Sequence, residues 1–173
     1  CVHPLPDGRW RMWYKDEAHR SLIYYAESMN LVNWFPYGAA IFDRPQEGPN
    51  VFVFQQDWWM VTDPWNGLGV YRSTDAGTTW RRQENILSRP GLRADDGALA
   101  HHADVLVSGG RAFIFYHTHP GEQSGSQAAY PGDILPFSQR RSSIQAAELH
   151  VVDGKLTCDR DESFDFSLVP PED

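Results

Sequence analysis

Residues 51–80 read VFVFQQDWWMVTDPWNGLGVYRSTDAGTTW. Three short apolar runs, at 51–54, 58–62 and 68–71, are separated by polar turn segments. Aromatic and β-branched residues dominate these runs, and each run has the length of a strand. The stretch therefore predicts three consecutive short strands that are joined by tight turns.

The same order of motifs recurs on both sides of this stretch. Aromatic strands are predicted at Trp10–Lys15 and at Ala112–His117, which begin 48 residues before and 54 residues after Trp58. No long segment has a helical period, so the predicted fold class is all-β. A recurrence of this size is typical of a β-propeller of four-stranded antiparallel blades. A β-sandwich also has many short strands, but it does not repeat the same motifs at this spacing.

The repeat divides the 173 residues into about three blades within a single β-propeller-type domain, 1–173. The predicted blades are approximately 1–42, 47–88 and 101–160. A Gly-, Ser- and Gln-containing stretch at 118–141 is predicted to be a flexible insertion.

The composition excludes several partners. The net charge of −8 disfavours nucleic acid and anionic membranes, and no apolar run approaches the roughly 20 residues of a membrane helix. We therefore expect a soluble chain. No secretory signal is visible in residues 1–10, and the N-terminus does not tell a cytoplasmic from a periplasmic location. Cys1 and Cys158 are expected to be free thiols, although a bridge between them is the alternative.

The turn at residues 73–80 has the form S-x-D-x-G-x-T-W. Asp75 is placed to accept backbone N–H groups, Gly77 to take a positive φ and Trp80 to pack on the blade. This turn resembles the Asp-box of sialidases and related propellers, in which it is structural. We therefore predict no catalytic role for Asp75.

The segment around Glu47 is the first candidate for chemistry. Glu47-Gly48-Pro49 leads into an apolar inner strand, and the start of an inner strand in a propeller faces the central cavity. A partly desolvated carboxyl group there would have a raised pKa and could serve as a general acid. The alternative is a loop glutamate in solvent.

A second group of candidates lies on the loop after the next strand, where Asp63 and Trp65 stand close together. The indole of Trp65 is suited to stacking on the apolar face of a sugar, unless it only packs within the loop. Asp63, together with Asn50 on the inner strand and His117 further along, completes the predicted set of substrate-binding residues.

His102 and Asp104 have the same parity on one strand, so both side chains should point to the same face. If this face is the cavity, His102 would orient Glu47, bind an ion or act as the acid itself, and Asp104 would join the catalytic group. His117-Thr118-His119 has a permissible metal-ligand spacing, but no third ligand is evident. We therefore predict no metal site and no cofactor, while a structural cation near His102 stays open.

Three segments resemble glycoside hydrolase family 43. EGPNVF at 47–52 is similar to the start of that family's third blade, where the glutamate is the general acid. The segment at 101–117 is similar to its fourth-blade pattern, and 147–156 resembles its closing strand pair. The resemblance covers most of residues 1–160 and implies the C-terminal portion of a five-bladed propeller.

The resemblance implies a glycoside hydrolase that acts on a neutral glycoside by inverting acid/base chemistry, with its carboxyl groups roughly 6.5–9.5 Å apart. The family's base and supporting aspartate lie on its first two blades. Residues 1–4 contain no aspartate, so the base is either upstream or Asp16, which is otherwise a turn charge. The alternatives are a carbohydrate-binding or a structural propeller fragment without catalysis. The alternative to a C-terminal portion of such an enzyme is a homo-oligomer that completes the propeller.

Overall fold

The computed structural model describes residues 1–121 and 136–169. Most of the predicted insertion at 118–141 lies outside these residues, and so do residues 170–173. The described residues form twelve strands and one four-residue helix, α1 (Phe137–Arg140).

The strands form three separate four-stranded antiparallel sheets. The first sheet contains β1 (Val2–Pro4), β2 (Trp10–Asp16), β3 (Leu22–Ser28) and β4 (Phe35–Ile41). The second contains β5 (Glu47–Phe54), β6 (Asp57–Asp63), β7 (Gly69–Ser73) and β8 (Arg81–Arg82). The third contains β9 (His101–Ser108), β10 (Arg111–Thr118), β11 (Ser143–Val152) and β12 (Lys155–Cys158).

Within each sheet the strand order follows the chain, so every sheet is a simple meander. The first strands of the sheets are neighbours, because β5 packs beside both β1 and β9. The prediction of an all-β fold of four-stranded antiparallel blades is confirmed, and the three sheets form a partial propeller.

The core consists of two apolar layers, one on each face of the second sheet. Successive side chains of β6 point to opposite faces, so Trp59 and Val61 pack in the layer shared with the third sheet. Trp58 and Met60 pack in the layer shared with the first sheet. Because this strand is buried on both faces, its sequence is a nearly continuous apolar run.

The outer face of the third sheet is covered by the chain's own C-terminal segment, residues 164–169. Phe113 and Phe115 on β10 make edge contacts with Phe166, at centroid distances of 5.1 and 5.7 Å. Arg111 donates a hydrogen bond to the Asp165 carbonyl at 2.9 Å. The segment thus covers an aromatic face that would otherwise be exposed to water.

A buried ion-pair network joins the loop before β9 to the strands of the third sheet. The carboxylate of Asp96 is fully buried and pairs with Arg160 at 2.9 Å and with Arg93 at 2.8 Å. It also accepts the Tyr116 hydroxyl at 2.9 Å, and burial together with this carboxylate raises the pKa of Tyr116. Buried charges require such pairing, so the network fixes the loop on the sheet.

The turn at 73–80 has the geometry that its sequence predicts. Asp75 accepts hydrogen bonds from the backbone N–H groups of Thr78 and Thr79, at 3.1 and 2.8 Å. Gly77 has a φ of +73°, and a Cβ on it would lie 3.1 Å from Trp13. Both facts explain a glycine at this position.

The Asp75 carboxylate should make the turn sensitive to acid. Partial burial alone would raise its pKa, but the hydrogen bonds from Thr79, Ser73 and Thr78 outweigh burial and lower it from 3.8 to about 2. A depressed pKa contributes stability that is present above the unfolded value and is lost as the pH falls toward the folded value. We therefore expect Asp75→Asn to flatten the pH dependence of urea unfolding between 3.8 and about 2. Asp153→Asn, at an exposed turn, is the control and should leave that dependence unchanged.

Both cysteines are free thiols, as predicted, and burial raises the pKa of Cys158 to about 12. Across residues 1–121 and 136–169 there is no helix with the length and apolar character to cross a membrane.

Candidate functional site

The candidate site is built around the start of β5, whose first residue is Glu47. The pairing of β5 with β6 shifts register between Glu47 and Asn50, which marks a β-bulge, a feature often found next to active sites. Gly48 lies in this bulge with a φ of +56°, and a Cβ on it would come within 2.4 Å of the His102 ring. Glycine at this position therefore allows His102 to pack directly on the backbone beside Glu47.

The Glu47 carboxylate has a cationic and an indole partner. Lys15 donates to one oxygen at 2.8 Å, and Trp65 donates its indole N–H to the other at 3.1 Å. The Lys15 ammonium is the main reason why the pKa of Glu47 is lowered from its ordinary value. The expectation of a raised pKa is therefore wrong for the free protein, in which Glu47 is ionised.

Lys15 is a site residue that the sequence reasoning missed. It is one of only two lysines in the chain and stands at the end of the aromatic strand β2. The rarity of lysine in this chain could have drawn attention to Lys15. The sequence does not show its contact with Glu47, because Glu47 lies on another sheet. Lys15 also contacts Glu17 at 3.1 Å, so its ammonium lies between two carboxylates.

Replacing Lys15 by methionine should raise the pKa of Glu47, because the ammonium that stabilises the carboxylate is removed while the apolar stem is kept. NMR titration of the Glu47 side chain would measure the shift. Lys155→Met, at the other lysine, is the control and should leave this pKa unchanged. A Glu47 pKa that stayed the same in Lys15→Met would show that Lys15 does not control the carboxylate.

Asp63 is buried next to the site, where its carboxylate holds the neighbouring loop and strand in place and is shielded from a substrate. Its side chain is only 1% exposed. It accepts the backbone N–H groups of Trp65 and His102, at 2.8 and 3.2 Å, and contacts His101 Nδ1 at 3.1 Å. Burial alone would raise its pKa, but these partners keep it lowered. The predicted substrate contact by Asp63 is therefore wrong, because its oxygens are occupied in holding the Trp65 loop and β9.

Trp65, by contrast, presents an exposed indole next to Glu47. It is 46% exposed, and its φ of +59° turns the loop sharply after Pro64. The same ring lies 5.8 Å from the Lys15 ammonium and donates to Glu47. An exposed indole therefore stands directly beside the candidate acid.

A cavity of about 510 Å³ opens next to Glu47, between β5, β9 and β10. His102 and Asp104 both line it, as do Asn50 and His117. Asn50 donates to the Asp104 carboxylate at 2.5 Å and so joins the two inner strands. The structure thus brings four of the predicted site residues together on one cavity.

Four histidines cluster at the side of this cavity. His102 stacks on His117 at 6.2 Å, and His101 and His119 lie within 6 Å of His117. Burial, and then the neighbouring imidazoles, lower the pKa of His117. The ring of His117 is accordingly neutral at neutral pH.

Asp16 is not brought into the site. Its carboxylate contacts His19 Nδ1 at 2.8 Å and accepts the His19 backbone N–H at 3.2 Å. Because Lys15 points to Glu47, the next side chain along β2 points to the opposite face. The prediction of Asp16 as the base at the cavity rim is therefore replaced by the turn-charge interpretation.

Glu47, Asp63 and His102 each offer one ligand atom, and these atoms lie within 4.8 Å of one another. The group does not fit a cation well, since the Lys15 ammonium already pairs with Glu47 and hydrogen-bond donors occupy Asp63. The positive charge that a metal would supply is thus provided by the protein itself.

A larger cavity, of about 620 Å³, lies at the outer edges of the second and third sheets, between 83–90 and 155–161. None of the residues predicted to act on a substrate lines it. The smaller cavity is therefore the candidate functional site, with His102, Asp104 and His117 in its lining and Glu47 beside it.

No protein-family profile and no curated protein matches this chain. Its fold does match solved structures. A thermostable family-43 glycoside hydrolase aligns with a TM-score of 0.65 and 20% identity, covering 100% of this chain and 60% of that one. A family-117 glycoside hydrolase from Zobellia galactanivorans aligns with a TM-score of 0.63 and 12% identity, covering 91% and 53%.

A family-43 β-1,3-galactosidase solved with galactodeoxynojirimycin aligns with a TM-score of 0.63 and 17% identity. The match covers 96% of this chain and 46% of that protein, so the chain spans roughly half the length of these enzymes. At such identities the match establishes the fold alone. The described residues of the chain have the propeller fold of family-43 and related glycoside hydrolases.

Proposed function

We propose that this chain carries the acid side of a glycosidase active site and binds a neutral glycoside that stacks on Trp65 beside Glu47 and extends into the adjoining 510 Å³ cavity, whose lining includes neither residue. The observation that carries the proposal is the hydrogen bond between Glu47 and the exposed indole of Trp65. A sugar ring stacked on that indole would place its glycosidic oxygen beside the Glu47 carboxyl group. The carboxylates of Glu47, Asp63 and Asp104 favour an uncharged sugar over an acidic one.

In the proposed reaction Glu47 protonates the leaving oxygen while a second carboxylate activates water on the opposite face of the sugar. Glu47 must first gain a proton. A bound sugar excludes water from the carboxyl group, which raises its pKa, and displaces Lys15 toward Glu17, which removes the ion pair. Asp104 has an exposed carboxylate on the cavity that adjoins Glu47, and we assign it the activation of water.

The second candidate is carbohydrate binding without hydrolysis. The observation that favours it is the ionised state of Glu47 beside Lys15. Trp65 and the cavity would then serve only for recognition.

The two functions are separated by measuring turnover and binding on the same sugars. A panel of aryl arabinosides, xylosides, galactosides and glucosides is tested for hydrolysis, and the matching methyl glycosides for binding by calorimetry. Turnover would support the glycosidase. Binding that is lost in Trp65→Ala, without turnover, would support the recognition module. The absence of both binding and turnover would contradict the two proposals for these sugars.

A further inference from the structure

Two aromatic side chains are exposed side by side on β4, the outer edge strand of the first sheet. Phe35 is 65% exposed and Tyr37 is 60% exposed, although both lie within the strand. Phe35 pairs in register with Glu27 of β3, and the ring of Tyr37 stacks on Tyr25, also of β3. Because Tyr25 and Glu27 are two residues apart on one strand, both exposed rings lie on the same face of the sheet.

The ring of Tyr37 is held in place before any ligand binds. Tyr37 is the extra residue of a β-bulge, because consecutive residues of β3 pair with Gly38 and with Pro36. A bulge of this kind redirects a side chain. The rings of Tyr25 and Tyr37 are nearly parallel, at 7°, and their centroids are 5.6 Å apart. Tyr37 is therefore oriented by this stacking contact, while most of its ring faces solvent.

Planar charged groups flank the two rings and are themselves fixed. Arg9 pairs with Asp7 at 2.6 Å and also with Glu27, whose other oxygen accepts a hydrogen bond from Arg11 at 2.9 Å. Arg9 is also close enough to Tyr37 for the two side chains to interact electrostatically. The side chains of Arg9 and Asp7 are 38% and 51% exposed, so both can still bind a ligand. Two guanidinium groups and two carboxylates leave this flank without net charge.

The two exposed rings are poorly suited to pairing with another protein strand. Pro36, between them, has no N–H group to donate, and the bulge at Tyr37 interrupts the edge; proteins protect edge strands with both features. An apolar protein partner would also bury the ion pair of Arg9 and Asp7, and the desolvation of these charges opposes binding. A ligand with apolar ring faces and many hydroxyl groups meets both conditions, because its faces stack on the aromatic rings and its hydroxyls bond to the charged groups.

We propose that Phe35, Tyr37, Arg9 and Asp7 form a carbohydrate-binding surface, the β4 platform, which binds an uncharged oligosaccharide or polysaccharide. The platform lies on the outermost strand of the first sheet, whereas Glu47 begins β5, which packs beside the innermost strand β1. It uses no residue of the candidate site around Glu47. The platform therefore stands or fails independently of the proposed glycosidase function.

The test is affinity electrophoresis in native gels that contain soluble xylan, arabinan, galactan or β-glucan. We expect at least one of these polysaccharides to retard the native chain. Phe35→Ala and Tyr37→Ala should each weaken the affinity by about 10-fold or more, because each removes the contact area of one ring. Tyr37→Phe keeps the ring and should stay within about threefold of the native affinity. Phe137→Ala, at an aromatic residue of α1 that is 71% exposed, is the matched control and should leave the retardation unchanged.

Trp65→Ala distinguishes the β4 platform from the site around Glu47. Retardation that depends on Tyr37 and persists in Trp65→Ala, together with no binding of the methyl glycosides, would support the platform and contradict the proposed function. Retardation that is lost in Trp65→Ala but kept in both Phe35→Ala and Tyr37→Ala would overturn the platform. The absence of retardation of the native chain by all four polysaccharides would also overturn it.

The other possible occupant of this surface is a second copy of the chain, which light scattering after size-exclusion chromatography tests. We expect the native chain and Tyr37→Ala to have the same mass. A native dimer that Tyr37→Ala converts to a monomer would overturn the assignment to carbohydrate. Because Phe35 and Tyr37 are exposed, their alanine variants should fold, and circular dichroism spectra that match the native spectrum would verify this.

Discussion

Glu47→Gln is expected to lower kcat by about 10²–10⁴-fold on a glycoside that the native chain hydrolyses, if its leaving group is poor. Glutamine keeps the shape of the side chain and can still accept a hydrogen bond from Lys15, but it has no proton to give to the leaving oxygen. The loss should therefore depend on the leaving group. A dinitrophenyl glycoside, whose leaving group needs no protonation, should lose far less than a phenyl glycoside.

Asp104→Asn provides the contrasting pattern. Because we assign Asp104 to the activation of water, its loss should slow dinitrophenyl and phenyl glycosides to a similar extent. Glu84→Gln, the same chemical change at an exposed position outside the lining of the 510 Å³ cavity, should keep the native kcat. Equal losses on both leaving groups in Glu47→Gln would contradict the role of Glu47 as the acid.

The largest effect on stability is expected from Asp96→Ala, which should lower the free energy of unfolding by about 3–5 kcal/mol. The substitution leaves the guanidinium of Arg160, whose side chain is 5% exposed, without its buried counter-ion, and it removes the acceptor of the Tyr116 hydroxyl. Urea unfolding monitored by tryptophan fluorescence would measure the change.

Two further variants test the cause of this loss. Asp96→Asn keeps one of the two acceptor oxygens and the shape of the side chain while it removes the charge, so we expect its loss to be smaller than that of alanine. Glu162→Ala removes a half-exposed carboxylate that pairs with His150, and it should change the free energy of unfolding by about 0–1 kcal/mol. A similar small change in Asp96→Ala would show that the buried network does not hold the third sheet.

The fold could be predicted from the sequence because short-range sequence patterns determine its strands and turns. The aromatic runs at Trp58–Thr62 and Ala112–His117 become β6 and β10, and the turn at 73–80 forms through its own side chains. The position of Glu47 at the start of an inner strand follows from the same reasoning. Each of these features depends on residues that are close together in the sequence.

The chemistry of the site was less accessible, because it depends on how separate sheets meet. Lys15 reaches Glu47 across the junction of the first and second sheets, and this contact reverses the direction of the pKa shift that burial predicts. Asp63 becomes inaccessible because β9 packs over it. The third histidine beside His117 and His119 was not evident, since only the pairing of β9 with β10 brings His101 to them.

The C-terminal segment that lies across β10 has a consequence for synthesis of the chain. A ribosome makes the aromatic residues Phe113 and Phe115 well before it makes Phe164 and Phe166, which cover them in the finished protein. During that interval the growing chain presents an unprotected aromatic surface, of the kind that chaperones recognise and that promotes aggregation. The aromatic face of β10 can therefore be covered only after Phe164 and Phe166 have been synthesised, and self-association through this face is possible until then.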